Sequence, residues 1–365
     1  GVMAGFCQGG GVGKCIAEWI IDGEPSIDVW AMDVARFGDY ASPQYGTIKS
    51  SENYERRFIM TFPNETLPKG RKQKTTALYD RFVNQGAVMG DSFGLENVLW
   101  FANNKEDAHE EPTIKRSRSH DYVSKEVINV RENVGLIEVA NFSKHEFKGP
   151  DARKFLDHIM AGRLPKPGRI SLSPMLSYRG KLCGDLTVAC LDENEFMVFG
   201  SGAAQEMHRR WFESHLDKFN LSYSNRSDEY HGLSIAGPNS RKVLEKIVRD
   251  DVSNEKFKFR DSRRMFVGGV PAIINRISFT GELGYEIYVA PHYQLKLYEE
   301  LMEAGKEFNI KPFGGRALMS MRLEKNWGAW TLDYRPDFTA KETGLDVFIN
   351  WDKEFIGKES AQKEN

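Results

Sequence analysis

The sequence predicts an α+β fold built around a duplicated unit. A string of helix-forming residues recurs 88 positions along the chain, beginning at residue 149 and again at residue 237. Each copy is followed by alternating, strand-like residues around a glycine turn. Of the 365 positions, 40% are hydrophobic and 28% charged, which is typical of a globular protein of two or three domains.

The first element, residues 1–23, is predicted to be a glycine-rich turn leading into a helix. Gly9, Gly10, Gly11 and Gly13 precede a run of apolar residues. Glycines before a helix let backbone N–H groups approach a phosphate at the positive end of the helix dipole. The spacing is not the G-x-G-x-x-G of dinucleotide-binding folds, so a plain turn before a packed helix remains the simpler interpretation.

Residues 27–75 are predicted to be irregular, and they end in a basic cluster; a second basic cluster follows at residues 115–118. Neither interleaves aromatic residues at stacking spacing, and the net charge of −2 gives no basic excess. We therefore expect no nucleic-acid partner. No apolar run is long enough for a membrane span, and four cysteines without C-x-x-C spacing indicate a reducing compartment.

The repeat itself consists of residues 149–159 (GPDARKFLDHI) and residues 237–247 (GPNSRKVLEKI), identical at six positions. The proline of each is predicted to begin a helix, where its missing N–H is not needed. Strand-like residues precede both helices. Further strands are predicted after them, at residues 184–190 and 195–199 in the first copy and at residues 270–279 and 285–289 in the second. The pattern predicts two βαββ-type units, with a ligand cleft between them.

Each unit contains one carboxylate at a position of interest. In residues 184–190, alternation puts Asp185 and Thr187 on the face opposite the apolar set. In residues 285–289, Glu286 likewise lies opposite the apolar residues. On spacing alone, a turn residue at 185 and an outward, solvated glutamate at 286 are the simpler interpretations.

A family resemblance makes both positions more specific. Residues 279–286 (FTGELGYE) resemble the Y-T-G-E-x-G-x-E signature of the glycine-cleavage T protein (aminomethyltransferase) family. Residues 184–188 (GDLTV) resemble its D-D-L-x-V strand, and shorter matches lie in the expected order around them. The resemblance covers roughly residues 76–360. It implies the folate-binding fold of that family, without the small C-terminal barrel.

The sequence upstream of this region is similar to the junction in dimethylglycine and sarcosine dehydrogenases, where a flavoprotein half ends and a T-protein-like half begins. The matching strings include GGGVGK at residues 9–14 and DVARFG at residues 33–38. The resemblance implies three regions: 1–38, the C-terminal tail of an FAD-dependent oxidoreductase domain; 39–75, a connecting or central region; and 76–360, the aminomethyltransferase-like domain. An FAD-binding body of the same protein is expected before Gly1.

The resemblance also implies a function. The chain would be the folate half of a flavin-dependent N-methyl amine dehydrogenase, forming 5,10-methylenetetrahydrofolate from tetrahydrofolate. FAD would be bound by the preceding body, with Gly9, Gly10, Gly11 and Gly13 as its last flavin-contacting turn. No metal is expected. The cytoplasm is the expected location, or the mitochondrial matrix in a eukaryote.

Residue roles follow from the same resemblance. It implies that Asp185 is the catalytic aspartate and that Glu286 holds the pterin. Phe279, Ser201 and Phe199 fall at folate-site positions where the T protein has Tyr, Asn and Val.

A folate-contacting arginine of the T protein falls at Leu318, so Arg316 or Arg322 is an alternative holder of the folate tail. Two other functions remain open. One alternative is a stand-alone aminomethyltransferase or folate-dependent demethylase of the T-protein superfamily. The other is a non-catalytic folate-binding module.

Overall fold

A computed structural model describes residues 5–363 of the chain. The N-terminal segment contains helices α1 (Gly5–Asp22) and α2 (Pro43–Glu55). The turn predicted at Gly9, Gly10, Gly11 and Gly13 is wrong, because all four lie inside α1, while residues 1–4 lie outside the described range. Glycine costs about 1 kcal/mol per helical position relative to alanine but does not forbid a helix.

A small hairpin leads into the duplicated region. Helix α3 (Tyr79–Asn84) precedes it, and its two antiparallel strands are β1 (Ala87–Ser92) and β2 (Leu95–Phe101). The first unit follows: α4 (Ser119–Glu132), β3 (Val134–Glu138), β4 (Ser143–Lys148), α5 (Ala152–Ile159), β5 (Arg169–Leu176), β6 (Leu182–Asp192) and β7 (Glu195–Gly200).

The second unit repeats that order of elements: α6 (Gln205–Glu213), β8 (Ser222–Asn225), β9 (His231–Ala236), α7 (Ser240–Ile247), β10 (Ser262–Val267), β11 (Val270–Asn275) and β12 (Gly284–Val289). The chain then continues through α8 (Gln294–Ala304), β13 (Ile310–Pro312), α9 (Gly315–Glu324) and α10 (Lys358–Lys363). None of the helices within residues 5–363 is long and apolar enough to cross a membrane.

The sheets confirm the α+β class, and their order shows the duplication. One sheet runs β5-β6-β7-β4-β8 and the other β10-β11-β12-β9-β3-β13, so the two units share one strand order. After its first helix and first strand, each unit continues as βαβββ rather than the predicted βαββ, because β5 and β10 were missed. Both are edge strands, β5 contains Pro174 and β10 carries Arg263 and Arg264, so neither shows clean apolar alternation.

The two units exchange the strands that begin them. Strand β3 precedes β4 in the chain but pairs with β9 of the second unit, and β8 precedes β9 but pairs with β4 of the first. Both pairings are antiparallel. Each sheet is therefore completed by the other unit.

The repeated G-P dipeptide marks the entrance to α5 and α7. Gly149 and Gly237 have φ values of 135° and 131°, and a Cβ at Gly237 would lie 2.4 Å from the backbone oxygen of Val130. The prediction that Pro150 and Pro238 begin the helices is wrong by two residues, since α5 and α7 begin at 152 and 240. Both prolines lie in the turn that the glycine requires.

Three of the apolar cores in the described part of the chain lie between these layers. One lies between the second sheet and helices α7 and α8, and another between the first sheet and helices α5 and α6. The third lies between the two sheets and is closed by α4 and α9; we call it the inter-sheet cluster. Its fully or nearly fully buried members include Ala189, Met197, Phe199, Ile273 and Tyr288.

Candidate functional site

Glu286 lies near the middle of β12, opposite Asn275 of β11 and Ser234 of β9. Side chains alternate between the two faces of β12. Its apolar residues lie in the core of the second sheet, and Glu286 and Tyr288 lie on the face towards the first sheet. The glutamate is only 6% exposed. It is therefore a buried carboxylate on the inter-sheet side, not the outward, solvated residue that spacing alone favoured.

One oxygen of this carboxylate is occupied. The Tyr288 hydroxyl donates to Oε2 at 2.9 Å, whereas no donor within residues 5–363 contacts Oε1. Burial raises the pKa of Glu286 to about 7, against the opposing effects of the Tyr288 hydrogen bond and the Lys144 ammonium. Oε1 remains free to accept a hydrogen bond from a ligand.

Asp185 lies near the beginning of β6, opposite Pro174 of β5. Its side chain is half-buried, and burial raises its pKa to about 7, with only its own backbone N–H acting in the opposite direction. Tyr334 lies close enough that the Asp185 charge adds to the effect of burial in raising the pKa of its phenol. A carboxyl group that titrates near neutrality can both accept and donate a proton.

The two carboxylates face the same layer of the molecule. Thr187 lies on the Asp185 face of β6 and is paired with Phe199 on β7. The ring of Phe199 stacks on Tyr288 with centroids 4.6 Å apart, and Tyr288 bonds Glu286. The Phe199–Tyr288 stack thus lies in the layer that both carboxylates face.

Phe279 and Ser201 lie at the margin of this layer. Phe279 is half-buried, packs against the inter-sheet cluster and stacks with Trp327 at 6.1 Å. Ser201 is also half-buried, directly after β7. The structure therefore places four of the five predicted folate-site residues on one layer, Asp185, Glu286, Phe199 and Phe279, with Ser201 beside it.

The arginines considered for the folate tail already have partners. Arg316 donates to Ser119 at 2.7 Å and pairs with Glu110 at 2.9 Å. Arg322 is buried and pairs with Asp333 at 2.5 Å. Leu318, between them on α9, belongs to the inter-sheet cluster.

Sequence reasoning missed Lys144. This residue of β4 lies directly opposite Phe199 and is completely buried. Its Nζ donates to the backbone oxygens of Ala140 at 2.7 Å and Ser227 at 3.4 Å, and lies 5.9 Å from the centre of the Tyr288 ring. Burial lowers the pKa of Lys144 to about 7, while the carboxylates around it oppose that shift.

Glu138 is a second buried carboxylate near Lys144. It ends β3 and accepts a hydrogen bond from Gln294, and burial raises its pKa to about 7. A signal for Lys144 existed in the sequence, since SKHEFK alternates up to the repeat. The predicted strand began at residue 146, two positions too late to include it.

The glycines predicted for FAD lie apart from this layer. Gly9, Gly10, Gly11 and Gly13 run along α1, and no atom lies within 4 Å of a Cβ added to any of them. The residues present thus form no cradle for a flavin, and the FAD role stays a prediction. Within residues 5–363, no group of three or more His, Cys, Asp or Glu side chains could hold a metal ion.

The surface of residues 5–363 includes two hollows that the carboxylates do not line. One of about 460 Å³ is lined by Arg316 and residues 113–117, and another of about 420 Å³ by Lys74, Asp228 and neighbouring polar residues. Neither is lined by Asp185 or Glu286. Apolar side chains of the inter-sheet cluster, among them Phe199 and Tyr288, lie between the sheets.

Comparison with protein families gives two adjoining matches. Residues 78–353 match the GCVT N-terminal domain. Residues 22–76 match the FAD dependent oxidoreductase central domain.

Comparison with curated proteins finds similar sequences. Mitochondrial dimethylglycine dehydrogenase from Homo sapiens is 34% identical over 365 residues, covering 98% of this chain and 42% of that protein. Mitochondrial sarcosine dehydrogenase from Mus musculus is 28% identical over 409 residues, covering 99% of this chain and 44% of that protein. The chain therefore spans less than half the length of these relatives.

Among solved structures, the glycine cleavage system aminomethyltransferase T from Bartonella henselae has a similar fold. The TM-score is 0.68 at 22% sequence identity, over 80% of this chain and 74% of that one. At this identity the likeness supports the fold alone.

Proposed function

The chain belongs to the GCVT N-terminal domain family, and from that premise we propose that it forms the folate-dependent half of a flavin-dependent N-methyl amine dehydrogenase. The substrate class is a small N-methylated amine of the dimethylglycine or sarcosine type, as the names of its relatives indicate. The product is 5,10-methylenetetrahydrofolate. Because those relatives are named mitochondrial, the proposal includes the mitochondrial matrix if the source is a eukaryote.

The observation that carries this proposal is the buried Glu286 carboxylate with a free Oε1. A pterin ring presents its N3–H and its 2-amino group as two parallel donors, and one ionised carboxylate can accept both. The Tyr288 hydroxyl fixes the carboxylate from the other side, at Oε2. The residues of this layer therefore fit the polar edge of a pterin, and Phe199 and Tyr288 supply aromatic surface beside it.

Asp185 is proposed to move the protons of the transfer. When the folate nitrogens capture the one-carbon unit of an iminium, their two N–H protons must leave and the amine product must gain a proton to depart. A carboxylate with a pKa near 7 accepts a proton in the first step and returns it to the departing amine in the second, and the remaining folate N–H proton is released to water. The ionised form also stabilises positive charge on the reacting nitrogens.

Access to Glu286 depends on residues at the margin of the layer. We propose that a pterin enters past Phe279, which is half-buried at the margin of the layer and stacks on the exposed Trp327. Flavin supplies the oxidation of the N-methyl amine when it is bound. The proposal places it in an FAD-binding body outside residues 1–365.

The proposal is tested with Glu286→Ala in the protein expressed from its complete open reading frame. Loss of two charge-assisted hydrogen bonds is expected to weaken tetrahydrofolate binding by about 100-fold or more, measured by isothermal titration calorimetry. Glu299→Ala serves as a control, because Glu299 is an exposed residue of α8 that pairs with Arg81. Equal affinities for wild type and Glu286→Ala would remove the pterin anchor from the proposal.

A further inference from the structure

Resting on the function proposed above, we propose that Lys144 is a positioning residue for the pterin: its buried ammonium keeps Glu286 ionised, so that the carboxylate accepts both pterin N–H groups. The inference deepens the role of the same site. Lys144 carries no role in the family resemblance, and the residues around it supply the argument.

The burial of Lys144 is unusual for its type. Lysines are almost never fully buried unless a charged group pairs with them. Lys144 is 0% exposed, and the described residues give its Nζ two backbone oxygens as partners and no carboxylate at ion-pair distance. Two backbone oxygens, of Ala140 and Ser227, hold the ammonium in place instead. Its charge is therefore not neutralised by one contact and acts on the carboxylates around it.

The charged and titratable groups facing Lys144 come from every element packed on it. Glu138 lies on β3, and Glu286 and Tyr288 lie on β12. Asp228 lies between β8 and β9 and pairs with Lys74, which precedes α3. His231 on β9 senses the same ammonium, which helps to lower its pKa.

These groups do not compete equally for the lysine charge. Asp228 is largely exposed and its carboxylate already pairs with Lys74 at 3.1 Å, so solvent and a second cation compensate it. Glu138 accepts a hydrogen bond from the Gln294 amide. Glu286 has only a neutral phenol as a partner, which leaves Lys144 as its one buried counter-charge within the described residues.

The charge state of Glu286 decides whether a pterin can bind. A protonated carboxyl offers an O–H where the ligand also offers N–H groups, so one of the two hydrogen bonds is lost and a donor faces a donor. Burial favours that protonated form. A positive charge held between the sheets favours the ionised form, and Lys144 is placed to provide it.

The test is the pH dependence of tetrahydrofolate binding to the full-length protein, measured by calorimetry between pH 6 and pH 9 for wild type and Lys144→Met. The variant is expected to lose affinity on acidification with a midpoint about one unit higher than wild type, and to regain affinity at high pH. Lys148→Met is the matched control, since Lys148 is a partly exposed lysine of the same strand that pairs with Glu146 and Glu195. It should leave the midpoint in place.

Two further variants keep the inference open to refutation. If Lys144→Met does not fold, Lys144→Gln retains an amide that donates to Ala140 and Ser227, and the same upward midpoint is expected. Lys144→Arg keeps the charge and should restore the wild-type midpoint. A loss of affinity that is uniform across pH, or an unchanged midpoint, would overturn the role of Lys144. Absence of folate binding by wild type would instead overturn the proposed function.

Discussion

Two carboxylates of the inter-sheet layer reach a pKa of about 7 with different neighbours. Burial raises the pKa of Asp185, which has no charged partner within residues 5–363. Burial also raises the pKa of Glu286, where a phenol and a buried ammonium oppose the shift. The first environment suits a group that exchanges protons during turnover. The second suits a carboxylate that is held in one orientation for a ligand.

The proposed proton transfer predicts the effect of Asp185→Asn. An amide cannot exchange the proton, so formation of methylenetetrahydrofolate is expected to fall about 10²- to 10⁴-fold, while tetrahydrofolate affinity stays within about threefold. Because the base form of Asp185 is required first, wild-type activity should decline as pH falls below about 7. That acidic limb should be missing from the residual activity of the variant.

Asp192→Asn is the control for this prediction, because Asp192 lies at the exposed end of the same strand. Unchanged product formation by Asp185→Asn would contradict the catalytic role. It would favour the alternative of a non-catalytic folate-binding module.

At the residue scale, the sequence identified positions by resemblance and not by environment. Asp185 and Glu286 were found because motif strings surround them, although alternation alone favoured a turn residue and a solvated glutamate. Lys144 has no such string. Its importance comes from burial and from carboxylates on three other segments, and neither is visible before the sheets are assembled.

At the element scale, the repeated glycine before α5 and α7 is a requirement of packing. Gly237 has φ 131°, and an added Cβ would lie 2.4 Å from the Val130 oxygen and 2.6 Å from the Asn133 oxygen. Gly237→Ala is therefore expected to lower the free energy of unfolding by about 2–5 kcal/mol, from backbone strain and overpacking together. Urea unfolding followed by circular dichroism measures it.

Gly269 provides a matched control for that substitution. It also has a positive φ, of 80°, but no atom lies within 4 Å of its added Cβ. Gly269→Ala should cost only the backbone strain, about 1 kcal/mol. Equal losses in the two variants would show that contact with the residue 130–133 backbone contributes nothing.

The element scale also shows where pattern reasoning succeeds. Strands with clean alternation, such as β6 and β12, were predicted within a few residues, because one face of each is apolar. Strands β5 and β10 were not predicted, because edge positions tolerate proline and exposed arginines and these residues hide the strand pattern. The helix predicted after the glycines is confirmed as the C-terminal part of α1, but its first half was predicted to be a turn because it contains four glycines.

At the scale of the whole molecule, the exchange of β3 and β8 could not be predicted from the repeat. The repeat predicts what each unit contains, and the two units do share one strand order. The repeat does not indicate which sheet a preceding strand will join. Strand β8 is only four residues long, and it pairs with β4, which is far away in the chain. Such pairings depend on tertiary packing.

This exchange predicts that the two units unfold together. Each sheet loses a strand if the other unit opens, and the shared inter-sheet cluster loses one of its faces at the same time. Amide hydrogen exchange at increasing urea should therefore give β7 and β12 the same opening free energy. The decisive variant is Gly149→Ala, whose new Cβ would lie 2.8 Å from the Leu221 backbone at the entrance to β8. Although the substitution is in the first unit, β12 should lose as much protection as β7, whereas loss confined to β7 would mean that the units are separate folding units joined only by packing.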